Sequence, residues 1–258
     1  MLGKSPSWQD AGGACSGYLI EAGETTVLLD CGNGVFGKLR ERIDYTELDA
    51  IVLSHLHADH WLDLVPFAYA LIYSPRQQPV PVHTFPGTDS PARPRLIVPP
   101  GAIRTFRTVT GAWGNDDLIE RAFAIDEYGS EETVEIGEIR ASFHPVPHFI
   151  DTFAVNVSAD GGRLTYSADT RPADELVEIA RDTDLLLVEA TLPRPERTGV
   201  RGHLTPEEAG DHGRRAGAKR VVITHISDEL GDEWAREEAS RGFGAPVEVA
   251  REGATYDL

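Results

Sequence analysis

Ser54-His55-Leu56-His57-Ala58-Asp59-His60 packs three histidines and an aspartate into one short stretch. It follows Ile51-Val52-Leu53, an apolar β-branched run that reads as a buried strand. The stretch therefore sits where a strand ends and a helix begins. Side chains two apart on an extended segment point the same way, so His55 and His57 can bind one ion together. Beyond the bend, Asp59 and His60 can turn towards a second position. Imidazole and carboxylate at this density suit Zn²⁺, with Mn²⁺ or Fe²⁺ as alternatives.

Three more residues repeat that geometry. His148 follows Ala141-Ser142-Phe143-His144-Pro145-Val146-Pro147, Asp169 follows Leu164-Thr165-Tyr166-Ser167-Ala168, and His225 follows Val221-Val222-Ile223-Thr224. In each case a ligand-type residue ends an apolar, strand-like run. Ligands carried to one rim by strand ends rest on rigid supports. Asp30 likewise ends the run Val27-Leu28-Leu29 and reads as a turn residue or, by the resemblance described below, as an outer support for a metal-binding histidine.

The rest of the chain fits one soluble domain. It has 258 residues, 41% hydrophobic and 26% charged, enough for a sizeable core. The apolar runs predict strands at Ser16 to Glu21, Thr25 to Asp30, Ala50 to Ser54, Thr133 to Ile136, Ile139 to Pro145, Phe153 to Ser158, Arg163 to Ala168, Leu185 to Glu189, Arg220 to Thr224 and near Val247 to Ala250. Helices are expected over Trp61 to Tyr73, disturbed by Pro66, over Ala173 to Arg181, after His203, and over Glu233 to Phe243. The helix after His203 has a start signal: Thr205 as cap, Pro206 at the first position and Glu208 closing a capping box. From Ser74 to about Asp126 the chain is rich in Pro, Gly and Arg, and reads as loops, short helices and a lid that faces substrate. Arg104, Arg107 and Trp113 lie there. Strand-rich halves with interspersed helices predict two sheets packed together with helices outside.

The net charge of −18 repels phosphate backbones, which weighs against a large nucleic-acid substrate. No run is long enough to span a membrane, and the N-terminus lacks a signal-peptide core, so a cytoplasmic location is expected. The two cysteines, Cys15 and Cys31, exclude a disulfide framework and read as small, partly buried thiols. His83, His144 and His212 read as structural or surface residues.

His55-x-His57-x-Asp59-His60, with His148, Asp169 and His225 in that order, resembles the metallo-β-lactamase superfamily over nearly the whole chain. The resemblance implies an αβ/βα sandwich with two metal ions at one edge. One ion would sit on His55, His57 and His148, the other on Asp59, His60 and His225, with Asp169 bridging. Thr165-Tyr166-Ser167-Ala168-Asp169-Thr170, Val188-Glu189-Ala190-Thr191 and Gly202-His203-Leu204-Thr205-Pro206-Glu207-Glu208-Ala209 are similar to ribonuclease Z and its phosphodiesterase relatives. That likeness implies that His203 contacts the scissile phosphate and that Glu189 supports it, with Asp59, His203 and Glu189 as catalytic residues. It also puts a glycine where this chain has Ala168, an opening strand that ends in a Leu-Gly pair, where here only Met1 precedes Leu2-Gly3, as a truncated start or a short strand would give, and a homodimer.

The glycine- and basic-rich arm of ribonuclease Z cannot be found between Tyr73 and His144. In length and motifs the chain resembles the atypical class II cyclic-nucleotide phosphodiesterases. The expected reaction is hydrolysis of a cyclic nucleotide or another small phosphodiester. A tRNA 3′-processing endonuclease comes second, then a lactonase or sulfatase, then a metal-binding ligand sensor.

Overall fold

The computed structural model describes residues 1–196 and 198–258. The first half runs β1 (Tyr18–Ala22), β2 (Thr25–Leu29), α1 (Val35–Arg40), β3 (Ala50–Val52), α2 (Leu64–Tyr73), β4 (Arg95–Val98), α3 (Ala102–Gly111), α4 (Leu118–Ala122) and β5 (Ala124–Glu127). The second runs β6 (Thr133–Ile136), β7 (Ile139–Val146), β8 (Thr152–Ala159), β9 (Gly162–Tyr166), α5 (Asp174–Ile179), β10 (Leu185–Glu189), α6 (Pro206–Ala216), β11 (Arg220–Thr224), α7 (Asp232–Phe243) and β12 (Glu248–Val249). β1 to β5 form one sheet in chain order, antiparallel at the first hairpin and parallel afterwards. The other sheet has the order β12-β11-β10-β9-β8-β7-β6, parallel from β12 to β9 and antiparallel from β9 to β6.

Strand alternation stacks these elements into four layers. Val27 and Leu29 of β2 share an apolar cluster with Leu185 and Leu187 of β10 and with Phe143, Val155 and Tyr166, which is the core between the sheets. Their neighbours point outward. Leu28 and Ile51 pack with Phe36, Phe67, Phe106 and Phe123 under the helices of the first half. Leu186 and Val188 pack with Leu176, Ala209, Ala216, Ala235 and Ala239 under those of the second. Two sheets face to face with helices outside are the αβ/βα sandwich expected from the sequence. No helix among the described residues is long and apolar enough to cross a membrane.

One detail follows the sequence closely, and one corrects the expected disturbance of a helix over Trp61 to Tyr73. Thr205 caps α6, its hydroxyl accepting from the Glu208 amide while the Glu208 carboxylate accepts from the Thr205 amide. Pro66 is the third residue of α2, where its missing N–H has no partner to lose inside the helix, so the helix starts there undisturbed. The stretch from 74 to 126 holds loops at 78–94 and 112–117 and helices of three to ten residues, but also two strands not expected from the sequence. β4 and β5 extend the first sheet, and α3 has ten residues. Pro94 and Pro99 flank β4 rather than interrupt it, so the parallel ladder loses no donor.

The strand ends place the site. β2, β3, β9, β10 and β11 are followed directly or within three residues by Asp30, His55, Asp169, Glu189 at the last position of its strand, and His225. The backbone turns sharply at three of these ends: Asp30, Ala168 and His225 have φ of 58°, 51° and 51°. That left-handed conformation is adopted comparatively readily by Asp and His and is strained for Ala. It explains the glycine expected at 168. Here a methyl is accommodated instead, buried in the core between the sheets.

Candidate metal centre

The outer ring nitrogens fix the histidine tautomers. His148 Nδ1 donates to the Gly202 carbonyl at 2.8 Å, and His60 Nδ1 donates to Asp30 Oδ2 at 2.8 Å. Ser54 Oγ gives its one proton to Asp30 Oδ2 at 2.8 Å, so it accepts from His55 Nδ1 at 3.0 Å. Thr191 Oγ1 gives its proton to Glu189 Oε2 at 2.9 Å and accepts from His225 Nδ1 at 2.7 Å. In the neutral rings, Nε2 of His55, His60, His148 and His225 is then an unprotonated nitrogen with a lone pair.

Those lone pairs converge. His55 Nε2 and His148 Nε2 stand 3.2 and 3.1 Å from His57 Nδ1, and 3.7 and 3.8 Å from Asp169 Oδ2. A proton on His57 Nδ1 can serve only one of them. On the other flank, His225 Nε2 is 3.1 Å from Asp59 Oδ2 and 3.5 Å from Asp169 Oδ2. His60 Nε2 is 3.4 Å from both Asp59 Oδ2 and Asp169 Oδ1. Buried acceptors facing acceptors are unfavourable without a cation between them. His60 Nε2 and Asp169 Oδ1 are buried and have no hydrogen-bond partner among the described residues.

The spacing suits dications. Donors around a tetrahedral Zn²⁺ with 2.0–2.1 Å bonds lie about 3.3–3.4 Å apart, and the distances above bracket that value. His55, His57, His148 and Asp169 could hold one ion, and Asp59, His60, Asp169 and His225 another, with Asp169 common to both. All seven residues expected from the sequence are brought together.

Electrostatics agree with this reading. Burial, helped by His60, holds His55 well below the ordinary imidazole value, and burial also lowers His57 and His148 against the pull of Asp169. Burial works against the charges of Asp59 and Asp169, yet neighbouring His225 and His60 hold both carboxyls well below the usual range. His60 runs the other way. Burial lowers it, but Asp169 and Asp30 outweigh that and raise it well above normal. A cation on His60 Nε2 must displace a proton, so metal affinity falls as pH falls. Cys15 and Cys31 are buried free thiols; burial pushes Cys15 up to about 12 and Cys31 well above its ordinary value, so neither offers a thiolate.

His203 stands beside both flanks, its ring centroid 5.0 Å from His148 and 5.6 Å from His225. Its Nδ1 donates to Glu189 Oε1 at 2.9 Å. Glu189 is fully buried and accepts also from the Thr170 amide, the Thr191 amide and Thr191 Oγ1. Four donors compensate its burial. His203 keeps 16% of its side chain exposed, and its Nε2 makes no hydrogen bond to the described residues.

Several partners were not legible in the sequence. Ser54, Thr191 and Gly202 set the tautomers of His55, His225 and His148, and Tyr166 donates to Asp30 at 3.1 Å. Asp30 itself proves to be an outer support, holding His60 as well as turning the chain. Gly32 is needed at its position because a Cβ there would stand 1.9 Å from the Asp59 carbonyl. The other expected residues lie elsewhere. His83 is exposed, His144 pairs with Ser142 and Glu131, and His212 bridges Glu208 and Ala173. Arg107 pairs with Glu120, Trp113 donates to Tyr69, and Arg104 lines a surface groove with Asp116 and Glu127, none of them in contact with the histidine cluster.

A family model, the Beta-lactamase superfamily domain, matches residues 25–226, which span every metal-type residue above. The chain belongs to the β-lactamase superfamily. Its fold is the metallo-β-lactamase fold. Over its whole length this superfamily member is 26% identical to the probable metallo-hydrolase YhfI of Bacillus subtilis, covering 98% of that protein. The crystal structure of YhfI superposes with a TM-score of 0.84 at 23% identity, over 99% of this chain and 97% of that one. The superfamily member is also 27% identical to ribonuclease Z of Myxococcus xanthus, over 94% of this chain and 92% of the relative. A diphosphatase from the PhnP family shares the fold, with a TM-score of 0.67 at 22% identity over 100% and 96% of the two chains. This superfamily member is a metallo-hydrolase by kinship.

Proposed function

We propose that the protein is a phosphodiesterase acting on small phosphodiesters, cyclic nucleotides among them, with two divalent ions, most simply Zn²⁺. The observation that carries this reading is the His203–Glu189 pair set beside two four-residue clusters that share Asp169. Ribonuclease Z and a PhnP-family diphosphatase, both enzymes of phosphorus–oxygen bonds by name, are among its relatives and fold neighbours. When bound, the ions supply Lewis-acid activation of water and neutralise charge on the phosphoryl group.

The residues divide the remaining work. Asp59 accepts a hydrogen bond from the attacking water and orients or deprotonates it. His203 gives the proton of its Nε2 to the departing oxygen. Glu189 holds Nδ1–H, which turns Nε2 outward and stabilises the charged ring. The same reading places the enzyme in the cytoplasm, where Cys15 and Cys31 stay reduced.

Small substrates are favoured over tRNA for two reasons. The net charge of −18 opposes a polyanion. No glycine- and basic-rich arm stands out in the stretch 74–126, of which β4, α3, α4 and β5 pack into the first half of the fold. Bis-p-nitrophenyl phosphate and cyclic nucleotides should therefore be turned over faster than precursor tRNA at equal metal and salt. Efficient, site-specific cutting of precursor tRNA at the 3′ end of its tRNA domain would reverse that order.

A further inference from the structure

His148 and His203 belong to the reaction as read above, but the side chain lying against both has no part in it. Phe149 is 50% exposed. A lone exposed apolar residue needs no functional explanation; its placement does. Its ring centroid is 4.8 Å from that of His148 and 6.0 Å from that of His203, so it borders both the metal cluster and the proton donor. It meets these rings at 55° and 67°, so neither is stacked parallel on its face. The ring's seat is also built. Gly202 lies against the side carrying Cδ2, Cε2 and Cζ, and a Cβ on it would stand 2.1 Å from Cε2. The Gly202 carbonyl in turn orients His148. One stretch of backbone thus positions a metal-type histidine and an exposed aromatic face together.

We propose that Phe149 is a stacking platform for a planar aromatic base, so that the substrates of this site are nucleotidyl phosphodiesters rather than phosphodiesters of simple alcohols. The inference rests on the phosphodiesterase reading. An aromatic face gains most from an offset partner ring, and base–aromatic stacking tolerates any base because each has a π-face. A nucleotide carries its base one sugar ring from the phosphate, which suits a platform bordering the cluster that would hold that phosphate.

Adenosine 5′-monophosphate and ribose 5-phosphate differ only in the base, and both are stable. Their binding to the metal-loaded protein is to be measured by calorimetry for wild type, Phe149→Ala, Phe149→Leu and Phe149→Trp. Alongside it, kcat and KM are to be measured for cyclic AMP and for base-free glycerol 1,2-cyclic phosphate. Wild type should prefer the nucleotide. Phe149→Ala should weaken nucleotide binding about 5- to 150-fold more than ribose 5-phosphate binding, and the loss should appear in KM for cyclic AMP rather than in kcat. Phe149→Leu, which keeps bulk without a π-face, should behave like Phe149→Ala, and Phe149→Trp should retain the preference. Equal effects on the two ligands in Phe149→Ala, or a preference surviving in Phe149→Leu, would overturn the platform. Failure of wild type to turn over either cyclic phosphodiester is a separate result, which overturns the phosphodiesterase reading and the platform with it.

Discussion

His203→Ala is expected to keep both metal ions and lose roughly 10²–10⁴-fold in turnover, the range for a positioned general acid. The geometry separates the two roles. His203 Nδ1 is engaged by Glu189 and the ring lies outside the two four-residue clusters, although Glu189, His203 and His225 form a third group with ligand atoms within 4.8 Å of one another, so metal content must be read alongside rate. Burial lowers the His203 value, but the hydrogen bond and charge of Glu189 outweigh it and raise it to about 9. Glu189 thus favours the protonated acid, and turnover should fall on the alkaline side as the ring loses its proton. Dications bound beside the ring shift this limb lower. Glu189→Gln removes the raising charge, so its limb should move to still lower pH with a smaller loss of rate. For p-nitrophenolate, which leaves without a proton, the His203→Ala loss should shrink. Loss of an ion from His203→Ala would make it a ligand, and full turnover of a cyclic nucleotide would end its part as proton donor.

Asp30→Ala should destabilise the protein by roughly 3–5 kcal/mol, as expected when one partner of a buried charged network is removed. Asp30 is fully buried and accepts from the Ser54 amide at 2.8 Å, Ser54 Oγ at 2.8 Å, His60 Nδ1 at 2.8 Å and Tyr166 OH at 3.1 Å. Truncation leaves all four donors in an apolar core. Asp30→Asn is the sharper variant, since Asn tolerates the φ of 58°. In either orientation its amide group meets a donor, Ser54 N–H on one side or His60 Nδ1–H on the other. Relief at His60 means moving the proton to Nε2, which closes that nitrogen to a metal. Affinity for the ion on Asp59, His60 and His225 should fall about 10–100-fold. Chelator competition and the thermal midpoint read the two effects separately. An Asp30→Asn protein with wild-type affinity for both ions would reduce Asp30 to a turn residue.

The site was legible because its chemistry is concentrated. Histidines at the end of Ile51-Val52-Leu53 have few structural uses at that density, and their places at the ends of strand-like runs predicted that His55, Asp169 and His225 would reach one rim. What escaped was whatever carries no pattern. Ser54 and Thr191 are ordinary hydroxyl residues until the ring nitrogens they face are known, and Gly202 acts through its carbonyl. Asp30 was balanced between turn and support because the sequence shows no partner; it is both. β4 and β5 were missed because four-residue strands between prolines, or half polar at a sheet edge, lack a period long enough to read. Phe149 was overlooked because an aromatic beside a ligand gives no sign of which way it faces.

The central claim is that this cluster hydrolyses phosphodiesters with two ions held by His55, His57, Asp59, His60, His148, Asp169 and His225. The most direct test is to strip the protein with a chelator, titrate it with Zn²⁺ or Mn²⁺, and follow turnover of bis-p-nitrophenyl phosphate against ions bound per chain. Activity should rise to a plateau at two ions per chain. Protein that binds two ions and turns over no phosphodiester, or turnover that does not depend on added metal, would contradict the account.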